Sequence, residues 1–131
     1  MEAGDSAKGR MVPIARVDVA GPKAASYKAA VLRGVREGVT SGLGVPDARV
    51  TVQLVEIAPG EWSMPASRTE RFTVVEITLF EGRTREIKRS CIDAIRHNLS
   101  ADPGIDSSEI AVIFNEKNDD DLNVVPGKAD S

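Results

Sequence analysis

Slid along itself by about 60 residues, this chain falls on its own pattern. Gly44-Val45 lands on Gly104-Ile105, Val50-Thr51-Val52 on Ile110-Ala111-Val112, and Glu56 on Glu116. The apolar positions follow. Val31, Val35 and Val39 meet Cys91, Ile95 and Leu99, and Val17 meets Ile77. At 131 residues the chain has the length of one domain, so the two copies are halves of a single fold.

Each copy reads as strand, helix, strand. From Pro13 to Val19, Ile14, Val17 and Val19 are β-branched and apolar, with Arg16 and Asp18 among them. Pro13 stands at the first strand position, where a missing N–H costs no ladder hydrogen bond. Gly21-Pro22 breaks the strand, and Pro22 suits a first helical turn. From Lys23 to about Ser41, Tyr27, Val31, Val35 and Val39 fall four apart and give one helical face. Gly34 and Gly38 weaken that helix alone but let another backbone approach, and Gly42 and Gly44 end it.

A second strand is expected over Arg49 to Ile57, completing repeat one at about 13–57. Residues 58–70 carry two prolines and form a long connection of the kind that is usually functional or disordered. The third strand, Phe72 to Phe80, is nearly all apolar and should be central. Thr84 can cap the next helix, with Glu86 in its first turn and Ile87, Cys91, Ile95 and Leu99 as its stripe. Asp102-Pro103-Gly104 stops it, Ile110 to Phe114 is strand four, and repeat two spans about 72–116. A polar, acidic tail covers 117–131, and residues 1–11 read as a flexible N-terminal extension ahead of a single domain over 12–131.

Strands joined by a helical crossover should pair parallel and right-handed. The expected fold is therefore α/β, an α+β sandwich with a four-stranded sheet and two helices on one face. The other face or an edge needs cover, and oligomerisation supplies it economically.

Composition excludes several functions. The net charge is -3 and aromatics make up 4%, so nothing drives nucleic-acid binding. No apolar run is long enough for a bilayer, and no membrane partner is expected. The one cysteine, Cys91, leaves no internal disulfide and fits a reducing, cytoplasmic compartment.

A duplicated strand–helix–strand that opens on a proline resembles the tautomerase superfamily, and within it the malonate semialdehyde decarboxylase-like branch. Four segments carry the resemblance, in order. They are 13–18 (Pro-Ile-Ala-Arg-Val-Asp), 43–47 (Leu-Gly-Val-Pro-Asp), 67–69 (Ser-Arg-Thr) and 79–88 (Leu-Phe-Glu-Gly-Arg-Thr-Arg-Glu-Ile-Lys). The resemblance implies the macrophage migration inhibitory factor-like fold, a homotrimer, and cofactor-free tautomerisation of a small 2-oxo acid. It implies Pro13 as general base or acid and Arg83 as the carboxylate clamp, with Arg68, Arg49 and Arg85 as further substrate-binding candidates. The expected partner is a small carboxylate, and no metal is expected.

The chemistry suits these residue types. An α-amino group titrates at about 7.7–8.0, and a nearby cation lowers that further. Such an amine can take a proton from a carbon beside a carbonyl and return it elsewhere. Arginine forks hold a carboxylate through two hydrogen bonds and stabilise enolate charge. Arg83 and Arg85 also stand at a helix start, where a cation is unfavourable and asks for an anion.

The sequence departs from that pattern in three places. Val12 precedes Pro13, so the nitrogen is an amide as the chain is written. Initiation at a GUG codon for Val12, read as methionine and then removed, would expose it. Arg49 stands where the decarboxylase branch has an aspartate, unless Asp47 substitutes, and Leu122 stands where that branch tends to have an aromatic. Both weaken decarboxylation and favour tautomerisation, leaving a decarboxylase-like enzyme and a non-catalytic carboxylate binder as alternatives. His97 falls off the apolar stripe and reads as a solvated helix position, Cys91 as a small core residue, and 119–121 (Asp-Asp-Asp) as a solvated run. Trp62 lines either a pocket or a subunit contact.

Overall fold

The computed structural model describes residues 12–125. The expected arm over 1–11 and the end of the tail over 126–131 lie outside them. Four strands and two long helices follow in the order β1 (Ile14–Ala20), α1 (Ala25–Leu43), β2 (Thr51–Ile57), β3 (Thr73–Phe80), α2 (Arg85–Ala101) and β4 (Ile110–Lys117). Short 3-10 turns at Asp47–Arg49 and Ser107–Glu109 lead into β2 and β4.

The sheet order is β2-β1-β3-β4, so the expected central position of β3 is met, shared with β1. Both crossover pairs, β1 with β2 and β3 with β4, are parallel, and the two repeats join through an antiparallel β1–β3 pair. Alternation decides the faces. Ala15, Val17 and Val19 of β1 and Thr73, Val75, Ile77 and Leu79 of β3 are buried on the helix side. They pack with Val31, Val35 and Val39 of α1 and with Cys91, Ile95 and Leu99 of α2 in one core. Each buried valine, leucine or isoleucine among them contributes about 1.5–3 kcal/mol by leaving water. On the helix-free side Arg16 is exposed, as are Val55 (38%) and Ile113 (47%).

The helices run antiparallel, because Gly42 meets Cys91, Gly38 meets Ile95 and Gly34 meets Leu99. A Cβ added at Gly38 would stand 2.6 Å from Ile95 Cγ1 and 2.9 Å from its backbone nitrogen. At Gly42 it would overlap the Cys91 backbone. Gly42 therefore does not end the helix, as its composition had implied. It lies inside α1 at the tightest helix–helix contact, and Gly44 alone forms the left-handed cap.

Other boundaries shift for local reasons. Pro22 precedes α1 rather than opening it, since the helix starts at Ala25. Residues 47–49 take up a 3-10 turn, which trims the start of β2. β4 runs on to Lys117 because its parallel ladder with β3 continues to Phe80. Thr84 caps α2 as expected, its hydroxyl accepting from Ile87 N at 3.2 Å.

The repeat persists in side-chain contacts. Lys28 Nζ lies 3.1 Å from Glu56 Oε1, and Lys88 Nζ lies 3.3 Å from Glu116 Oε2. Gly21 N donates to Ile57 O and Glu81 N to Lys117 O, both at 2.9 Å.

Candidate active site

Strand direction sorts the candidate residues. β1 starts where β2 starts and where β3 ends, because its partners are parallel and antiparallel respectively. Arg49 precedes β2, whereas Arg83 and Arg85 follow β3, so all three belong to the sheet end that carries Pro13. Arg68 precedes β3 and belongs to the opposite end.

At the Pro13 end, Thr51 N donates to Pro13 O at 3.2 Å, which fixes the residue just outside the strand. Ile14 pairs with Thr78, so the next positions along, Leu79 and Phe80, come beside Pro13. β3 then turns at Gly82, whose φ of 121° lies where a side chain is disfavoured. That turn delivers Arg83, which is half-buried, back to the same place. Val12, Pro13, Leu79, Phe80 and Arg83 wall one cavity of about 20 Å³, room for about one water molecule.

The cavity is apolar apart from one guanidinium. Val12 is 4% exposed and Pro13 is buried. Behind the wall, burial pushes the Cys91 thiol up to about 12 against the opposing pull of the Arg83 charge, so the thiol stays neutral. The arrangement can seat a small anionic group against Arg83 with its remainder on Leu79 and Phe80.

Arg49 is half-buried and Arg85, the first residue of α2, is exposed; neither lines this cavity. Arg68 donates to Ser108 O and lies over the Phe72 ring at 5.0 Å. Trp62 shares that far end, its ring 6.0 Å from Phe72. Sequence reasoning missed Leu79, Phe80 and Val12 as walls. The signal available was their adjacency to the Gly82 turn and to Pro13. His97 is exposed and lines a groove between α1 and α2 with Arg33, Glu37 and Asp102. Among the described residues no group of three or more His, Cys, Asp or Glu is placed to hold a metal. No described helix is long and apolar enough to cross a membrane.

A family model described as tautomerase enzyme matches residues 64–123. A fused 4-OT solved as a symmetric trimer superposes with a TM-score of 0.74 at 26% identity, covering 85% of this chain and 90% of the other. The chain has the tautomerase fold, and its second half matches the tautomerase family. A malonate semialdehyde decarboxylase shares the superfamily fold with a TM-score of 0.77 at 18% identity, over 88% of this chain and 93% of its own. So does Pt0534, solved after inactivation by 2-oxo-3-pentynoate, with a TM-score of 0.77 at 22% identity over 88% and 97% of the two chains. No curated protein sequence matches.

Proposed function

We propose that this protein is a cofactor-independent tautomerase that interconverts the keto and enol forms of a small 2-oxo acid. The observation that carries this reading is the single cavity walled by both Pro13 and Arg83. With Pro13 as the first residue, its amine takes a proton from the carbon beside the carbonyl and returns it to the enolate oxygen, or runs the reverse. Arg83 holds the carboxylate in a two-pronged contact and stabilises the negative charge that develops beside it. Arg49 and Arg85, at the same sheet end, are secondary carboxylate contacts. Inactivation of Pt0534 by a 2-oxo acid supports this substrate class.

A homotrimer in the cytoplasm is the proposed working form. The trimeric state of the fused 4-OT supports it, and so does the uncovered sheet face with exposed Val55 and Ile113. Arg68 stands at the far sheet end, so it serves a Pro13 cavity only from a second copy of the chain.

One observation favours a second reading. Val12 is itself a wall of the cavity and almost wholly buried, so a chain that retains it has an amide at Pro13 and little free volume. Such a chain is a blocked relative that binds a small carboxylate without turning it over. The test is ketonisation of phenylenolpyruvate by protein that begins at Pro13. Activity that falls by about 10²–10⁴ in Pro13→Ala supports proton transfer by the amine. Equal rates in the two proteins would remove Pro13 from the chemistry.

A further inference from the structure

The repeat places counterparts of the Pro13 and Arg83 positions at the other end of the sheet. Shifting by about 60 residues takes Pro13 to Thr73, Val12 to Phe72, and Arg83 to Lys23. The cation is therefore kept and the imino acid is not. Thr73 is buried, its hydroxyl donating to Arg71 O at 2.9 Å, so this end offers no amine for proton transfer.

What gathers there is positive charge around an aromatic ring. Lys23 Nζ stands 5.0 Å from the centre of the Tyr27 ring and Arg71 Cζ stands 5.8 Å from it. The Tyr27 hydroxyl is shut off from solvent and makes no hydrogen bond of ordinary geometry. A buried polar group without a partner is costly, so an acceptor brought to this hydroxyl would relieve that cost. Burial also raises the Tyr27 pKa, outweighing the Arg71 charge and a loose hydrogen bond from its guanidinium, so the hydroxyl keeps its proton, which has no acceptor.

Neighbouring acids do not satisfy it. Glu56 is held by Lys28 Nζ at 3.1 Å and by Lys23 N at 2.8 Å. From Glu70 the backbone carbonyl takes Lys23 Nζ at 3.0 Å, while its carboxylate acts on Tyr27 only through its charge. Arg71 is exposed, and besides its contact with Tyr27 its guanidinium makes only a long hydrogen bond, 3.4 Å to Gly104 O, so it can be approached from solvent.

We propose that this end of the sheet is a second binding site, for a small oxyanion such as a carboxylate or a phosphate, held by Lys23, Arg71 and the Tyr27 hydroxyl. It binds without catalysing, and it is separate from the Pro13 cavity.

The protein carries its own reporter, since Trp62 is the only tryptophan and its ring lies 6.0 Å from Phe72 at this end. Full-length protein titrated with succinate, with inorganic phosphate, and with sodium chloride at matched ionic strength should show a saturating change in Trp62 emission with an oxyanion and none with chloride. The oxyanion that saturates at the lower concentration identifies the source. Arg71→Gln and Lys23→Gln should each weaken the response about tenfold or more, as loss of a charge-assisted contact implies. Tyr27→Phe, which removes one oxygen and spares the packing, should weaken it severalfold. Arg83→Ala should leave it unchanged. A response that follows ionic strength alone, survives both charge substitutions, or disappears in Arg83→Ala would overturn the proposal.

Discussion

Pro13 and Arg83 face the same cavity because β1 and β3 are antiparallel neighbours, which puts the first residue of one beside the last residues of the other. The association is a property of topology, set by backbone pairing before any side-chain contact. It fixes which arginines can share that site within one chain.

In protein that begins at Pro13, Arg83→Ala should lower kcat/KM for phenylenolpyruvate by about 10²–10³, the usual loss when one charge-stabilising donor is removed. The same variant should move the acidic limb of the pH–rate profile upward. A cation beside an amine disfavours its protonated form, so on the proposed mechanism loss of Arg83 should raise the pKa of the Pro13 amine. Steady-state rates across pH check both statements.

Gly42→Ala should destabilise the fold by about 1–3 kcal/mol, the ordinary range for overpacking. The new methyl would meet the Cys91 backbone, which cannot rotate away as a flexible side chain could. Urea unfolding measures this, with Gly60→Ala as the contrast, because nothing lies within 4 Å of a Cβ there and only its φ of 87° opposes the change.

That glycine shows where the sequence runs out. Two glycines close together, Gly42 and Gly44, look alike as helix stops, and only the partner helix tells a close contact from a cap. The period-60 pattern, the four strands, the Thr84 cap and the valine stripe of α1 were all legible, because each depends on local spacing. Arg68 was not placed by local spacing. Its position at the far sheet end follows from the antiparallel β1–β3 pairing, which no residue near Arg68 encodes. Leu79 and Phe80 read equally well as core and became cavity walls through the same pairing.

Acid stability should depend on Glu56. Hydrogen bonds from Lys23 N first, and then from the Lys28 ammonium, lower its pKa from the ordinary carboxylate value. A carboxylate depressed in the folded state stabilises above its unfolded pKa, and that contribution is lost as pH falls through the folded value. Thermal melts from pH 6 downward should therefore show a smaller acid-side decline in Glu56→Gln than in the parent protein.

Cys91 should resist thiol reagents in the native protein. Burial holds its pKa at about 12, and the thiolate is the reactive form. Iodoacetamide at pH 8 should modify it only as fast as the fold opens, and full labelling should appear in denaturant. Rapid native labelling would contradict its place between the helices.

The role of the Pro13 nitrogen is decided by the rate of phenylenolpyruvate ketonisation in two proteins, the chain that retains Val12 and the chain that begins at Pro13. Removing Val12 turns an amide into an amine and opens a cavity that otherwise has room for about one water molecule. The Pro13 protein should be active and the Val12 protein slower by about 10² or more. Equal rates in the two, or no activity in a folded protein that begins at Pro13, would contradict that role.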